Sequence, residues 1–183
     1  MTDVEKLYDI LMGDNVVSSI EENLGTLLML IPELKKTMGF DQKNPHHHLD
    51  VWEHTMYALS MSIQDFDVRL VLLLHDISKP ICNQKDGETL RFRGHPKKSK
   101  EMANEILRRL DFSEDYTKKI CYLIENHDEE LTSKEIDIYP KLSMKRFEIQ
   151  RCDALAHHPD KLEKRKQYLK DTKELILEKK KRL

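Results

Sequence analysis

Apolar positions recur at helical intervals along most of this 183-residue chain. Leu24, Leu27, Leu28, Leu30, Ile31 and Leu34 trace one broad face, and Gly39 offers a stop. The polar stretch 41–48, broken by Pro45, predicts a loop. Val51, Met56, Leu59 and Ile63 predict a helix over about 49–64. Residues 67–76 are apolar on nearly all sides, which predicts a central buried helix that Pro80 limits. Asp86-Gly87 between two short segments predicts a small β-hairpin within 81–93. His95-Pro96 opens a helix reaching about 110, and Ser113 with Glu114 and Asp115 caps another reaching about 125. Further helices are expected over 142–157 and from 160 to the C-terminus. The expected fold is an all-α bundle with one small hairpin.

Composition narrows the classes. Charged residues make up 35% and hydrophobic residues 39%, and five glycines and six prolines are too few for a loop-rich all-β domain. The length suits one domain over 1–183. A net charge of −2 argues against a general nucleic-acid coat, although Lys179 to Arg182 form a local basic patch. Cys82, Cys121 and Cys152 are scattered and odd in number, as for reduced thiols. The first residues lack an apolar leader and no apolar run spans a bilayer, so a cytoplasmic address without a membrane partner is expected.

The chemistry concentrates where the chain is most apolar. His75-Asp76 ends the most hydrophobic segment, and an ionised aspartate buried there requires a cation or hydrogen bonds. His54 lies on the preceding predicted helix and Asp153 on a later one, so three helices bring four imidazole and carboxylate donors, a set suited to a divalent metal. Each residue alone also has an ordinary reading. His95 beside Pro96 and His127 at a helix end fit capping, and Lys79 fits a solvated lysine. Arg91 and Arg93 alternate as on a strand and suit either a phosphate or plain surface. His46, His47 and His48 cannot all reach one ion and are expected at a pocket rim, with His48 nearest His54. His157, one turn from Asp153, is a candidate partner for it, and a plain surface role for His157-His158 is equally open.

The ordered set His54, His75-Asp76, Asp153, with "DVWEHTMYAL", "LLLHDISKP", "GHPKKSKEMANEIL", "IENHD" and "RCDALAH", resembles the HD phosphohydrolase superfamily. With "PELKKTMGFDQ" ahead of them, these segments are similar to the HD domain that follows the nucleotidyltransferase head of bacterial CCA-adding tRNA nucleotidyltransferases. The resemblance covers about 28–159 and implies an HD helical bundle with a C-terminal helix over about 160–183. It implies that His54, His75, Asp76 and Asp153 hold a divalent ion (Mn, Fe, Ni, Co, Mg or Zn) that activates water for attack on phosphorus. Asp76 would also orient that water, Lys79 would hold the substrate phosphate, and His95 and His127 would bind a second ion or the phosphate. The implied substrate is a phosphate monoester or cyclic diester of a nucleotide or RNA end. Two other readings follow from the same resemblance: a di-iron oxygenase, or a non-catalytic module binding tRNA or a protein partner. No Gly-Gly/Ser loop with an Asp-x-Asp pair is found, so CCA addition is not expected, and the Gly-Tyr-Pro extension of cyclic-dinucleotide enzymes is missing. Ser78 stands where the family commonly has glycine and is expected only to tighten a turn. The last helix carries no pattern that sets an oligomeric state.

Overall fold

The computed structural model describes residues 1–43 and 48–180. Pro45, His46, His47, Lys181 and Arg182 lie outside them. Three short helices come first, α1 (Asp3–Met12), α2 (Val16–Glu22) and α3 (Leu24–Leu30). The apolar face from Leu24 to Leu34 is not one helix. Pro32 disfavours helical backbone in the residue before it, so Ile31 is extended and the chain resumes as a 3-10 turn over Pro32–Lys36. Gly39 sits at φ +68°, the left-handed region glycine favours, and its N–H donates to Asp50 at 3.0 Å.

Asp50 also starts α4 (Val51–Ser60) by a reciprocal cap with Glu53, at 2.8 and 3.0 Å. α4 stops before the expected residue 64, because Asp65 already caps α5 (Phe66–Leu74) through the Val68 N–H at 3.0 Å. α5 is the central helix, buried from Asp67 to Leu74. Leu70, Leu72, Leu73 and Leu74 pack with Leu7, Leu27, Leu107, Leu123 and Ile149 in one core. Burying the four leucines of α5 contributes on the order of 10 kcal/mol. The two charged residues on α5 are matched. Asp67 meets Tyr116 and Lys119 at 2.7 Å and Lys145 at 2.9 Å, and Arg69 donates to the Leu11 carbonyl at 2.6 Å.

Pro80 does more than end α5, since it occupies the second position of a one-turn helix, α6 (Lys79–Cys82). The hairpin follows as β1 (Gln84–Asp86) and β2 (Thr89–Arg91), with Asp86 opposite Thr89 and Gly87 at φ +63°. α7 (His95–Arg109) and α8 (Glu114–Glu125) pack side by side, and Ser113 caps α8 as expected. α9 (Ser133–Ile138) is too short to leave a periodicity, and it precedes α10 (Pro140–Leu155) and α11 (Pro159–Lys180). α11 is charged but not a free solvated helix. It packs along α10 and α9, and its Ile176 is buried with Leu131 and Ile136. Among the described residues no helix is long and apolar enough to cross a membrane.

Thr132 and Glu135 cap α9 reciprocally, and Arg146 of α10 lies 2.8 Å from the Glu135 carboxylate. Burial pushes this carboxyl up, but the Thr132 N–H and hydroxyl together with Arg146 outweigh burial and hold it at about 2. Its folded value lies below the unfolded one of about 4.3, so the contribution is complete above that pH and is lost as pH falls toward 2. Glu135→Gln is expected to lessen the loss of stability between about pH 5 and about pH 2, read by urea denaturation across that range.

Candidate metal centre

Five elements point their ends or faces at one place. His54 comes from the middle of α4, His75 caps the C-terminus of α5, Asp76 follows it, His95 opens α7, His127 lies just past α8, and Asp153 sits near the end of α10. All but His95 are essentially inaccessible to solvent. The imidazoles form a row in which ring centroids lie 5.2 Å (His157–His54), 5.6 Å (His54–His75), 5.1 Å (His75–His127) and 5.3 Å (His127–His95) apart.

The backbone fixes how these rings face. Nδ1 of His54, His75, His95 and His127 approaches the carbonyl of Ala156, Leu72, Phe92 and Ile124 at 3.2, 2.8, 2.9 and 2.7 Å. A carbonyl only accepts, so each Nδ1 carries the proton and each Nε2 turns inward. What the Nε2 atoms meet are acceptors. His54 Nε2 is 3.0 Å from Asp153 Oδ1, His75 Nε2 is 3.3 Å from Asp76 Oδ2, and His95 Nε2 is 3.1 Å from Asp76 Oδ1. Lone pairs facing lone pairs need a proton or a metal cation between them. Lys79 Nζ stands 2.6 Å from Asp76 Oδ2, yet neither Asp76 oxygen nor His75 Nε2 is met at hydrogen-bonding angles.

The electrostatics express the same demand. Burial pushes the Asp76 carboxyl up, but the His75 and Lys79 charges hold it well below the usual carboxylate range. Burial likewise raises Asp153, and His157, His54 and His75 bring it well below. In return the His75 imidazole, pushed down by burial, is lifted to about 10 by Asp76 and Asp153. His127 is lowered, chiefly by burial, which keeps its lone pair available. Among the described residues, three sets of donor atoms lie within 4.8 Å of one another: His54, Asp153 and His157; His54, His75 and Asp76; and Asp76, His95 and His127. Asp76 belongs to two sets and could join two ions. The residues therefore fit a divalent metal, with nitrogen and oxygen donors and each imidazole oriented by a backbone acceptor.

An HD domain pattern matches residues 46–180. The chain belongs to the HD domain family. It is 30% identical over 141 residues, 73% of its length, to 31% of the CC-adding tRNA nucleotidyltransferase of Thermus thermophilus. It is also 35% identical over 113 residues, 58% of its length, to 26% of the A-adding tRNA nucleotidyltransferase of Deinococcus radiodurans. The chain thus spans less than a third of the length of either relative.

Within this HD domain the structure gathers His54, His75, Asp76, Lys79, His95, His127 and Asp153 in one cluster, and all of these but His54 and His75 line an open cavity of about 420 Å³, with Arg91 and Arg93 on its wall. Arg91 is turned back to Asp86. His48 packs edge-on to His158 at 5.8 Å and joins none of the three donor sets. His157 donates Nδ1–H to the Asp153 carbonyl at 2.7 Å, the partnership its spacing suggests. Cys82, Cys121 and Cys152 are free thiols.

Four contributors escape the sequence patterns. Asp128 approaches His95 at 3.6 Å, and Arg165 of α11 reaches Asp153 at 3.2 Å. Gln42 accepts from Lys79 at 3.0 Å, so Lys79 is buried and engaged rather than solvated. Ser78 does not merely tighten a turn. Its hydroxyl donates to the His95 carbonyl at 3.0 Å and meets Ser99 at 2.9 Å, tying the end of α5 to the start of α7. Only the adjacency of Asp128 to His127 could have signalled any of these. Ser78→Ala is expected to cost about 2 kcal/mol for the lost bonds, a fall of roughly 4–8 °C in melting temperature.

Proposed function

We propose that the chain is a metal-dependent phosphohydrolase cleaving a phosphate monoester or cyclic diester, with a nucleotide or an RNA end as substrate. The observation that carries the reading is the close apposition of imidazole Nε2 atoms and two buried carboxylates, both of which line a cavity open to solvent. His54, His75, Asp76 and Asp153 are the residues to hold one ion, and Asp76, His95 and His127 a second ion or the phosphate itself. A divalent metal in such a site lowers the pKa of its water and neutralises phosphoryl oxygens.

The chain's own groups do the rest. Asp76, with lone pairs on both sides, orients the attacking water. Lys79, fixed between Asp76 and Gln42, keeps that carboxylate ionised and adds positive charge to the cavity floor. The tRNA named in both relatives supports an RNA end or a nucleotide over an unrelated ester.

The test is hydrolysis of 2′-nucleotides, 2′,3′-cyclic nucleotides and p-nitrophenyl phosphate with manganese, cobalt, nickel or iron. Expected is turnover that needs added metal, stops on chelation and is absent in His54→Ala. Failure to cleave any ester with any of these metals overturns the reading. Aerobic-only turnover with iron would favour an oxygenase built on the same donors. RNA binding that survives Asp76 substitution and weakens steeply with salt would favour a binding module.

A further inference from the structure

Most charges on α11 face solvent, but Arg165 turns inward. One guanidinium nitrogen lies 3.2 Å from Asp153 Oδ2 and another 3.6 Å from Asp128 Oδ1, while 34% of the side chain stays exposed. Beside the cavity over the histidines lies a narrower one of about 150 Å³, and His127, Asp128 and Arg165 line both. Among the lysines and arginines lining either cavity, Arg165 alone lines the two. Lys79 is buried against Asp76 and Gln42, and Arg91 is paired with Asp86.

The narrower cavity is walled by Tyr168 and Leu169 of α11, with Glu130 and Lys164 beside them. The Tyr168 hydroxyl donates to Gln150 Oε1 at 2.7 Å and accepts from the Leu131 N–H at 3.0 Å, so its ring is held in place. About 150 Å³ is room for a benzene-sized ring. A carboxylate acceptor and an ammonium donor in the wall suit a ring with hydrogen-bonding edges better than a hydrocarbon.

We propose that α11 completes the substrate site, with Arg165 gripping the phosphate and the neighbouring cavity taking the nucleobase of the same molecule. This rests on the phosphohydrolase reading and gives it a substrate class: a phosphate ester carrying a heteroaromatic base, preferred to a bare sugar phosphate. The guanidinium fork presents parallel donors matched to phosphate oxygens, and Asp128 anchors it at the junction of the two cavities.

The test is calorimetric titration of the manganese-loaded full chain with uridine 2′-monophosphate (its base is a single six-membered ring), ribose 5-phosphate and inorganic phosphate. The wild type is expected to bind the nucleotide about tenfold more tightly than the sugar phosphate. Leu169→Trp, or the milder Leu169→Phe if the first melts early, removes that preference and leaves phosphate affinity unchanged. Arg165→Gln weakens all three by about tenfold, the loss of one charge-assisted contact, with metal content retained; Arg165→Lys recovers part of it. The proposal is overturned if the wild type shows no base preference or binds none of the probes. It is also overturned if the filled cavity keeps the preference, or if Arg165→Gln binds as the wild type does. Hydrolysis followed in the same samples separates the two claims. Base-selective binding without turnover sinks the phosphohydrolase reading and leaves the subsite, whereas turnover without base preference sinks the subsite alone.

Discussion

Asp76→Asn leaves a folded protein that no longer retains metal and hydrolyses phosphate esters at least about a thousandfold more slowly, roughly 4 kcal/mol of lost transition-state stabilisation. Asparagine is chosen because it preserves volume while removing the charge that faces Lys79, whose Nζ stands 2.6 Å from the carboxylate. Lys79 then loses its nearest counter-charge in a buried site, so melting should fall on the order of 10 °C with the fold retained. The missing charge matters because Asp76 is shared by two of the three donor sets. Its neighbours across the site are Nε2 atoms whose orientation is already fixed by backbone carbonyls. Elemental analysis beside a steady-state assay checks both effects. Metal and activity retained at wild-type levels would remove Asp76 from the site.

Arg146→Ala should cost about 3–5 kcal/mol, a fall on the order of 10 °C in melting temperature, although the residue touches no donor. It is among the largest fully buried side chains. Its guanidinium donates to the Asn126 carbonyl at 2.8 Å, to Glu135 at 2.8 Å, to the Glu130 carbonyl at 3.4 Å and also to the Glu129 carbonyl. Those carbonyls flank His127 and Asp128, so one arginine on α10 holds the turn that carries them. Truncation removes the whole fork of donors from these part-buried acceptors, and a hydrogen bond to a charged group such as Glu135 contributes about 1.5–3 kcal/mol. Arg146→Lys should recover less than half, because an ammonium is a point donor where the fork spans several carbonyls. Thermal melts followed by circular dichroism decide it, and an alanine variant within 1–2 °C of wild type, about the noise of a surface substitution, contradicts the assignment.

What the chain's pattern could and could not reveal follows from the range of each interaction. α5 announces itself because it is apolar on nearly all sides, and α8 because apolar spacing and the capping Ser113 agree over a dozen positions. The face from Leu24 to Leu34 reads as one helix for the same reason, and the strictly local effect of Pro32 on Ile31 is what divides it. α9 carries its cap, Thr132 with Glu135, but six residues give no period. At the site, His75 and Asp76 are legible because a carboxylate ends the most apolar stretch. His54 and Asp153 are 99 positions apart, and only their resemblance to an ordered family pattern joins them before the fold does. Arg165, Gln42 and the Ser78–Ser99 link have no local signature at all. Each acts across a fold contact, and in sequence each is one polar residue among many. The resemblance points to the proposed donor set, whereas these supporting contacts come from how the elements pack around it.

We propose that His54, His75, Asp76 and Asp153 together hold one divalent ion. The most direct measurement is anomalous diffraction from crystals of the manganese-loaded protein, recorded above and below the metal edge. The account predicts an anomalous peak within about 2.0–2.3 Å of the His54 and His75 Nε2 atoms and of an oxygen each from Asp76 and Asp153. A loaded crystal with its peak elsewhere, or with none among these four side chains, would contradict it.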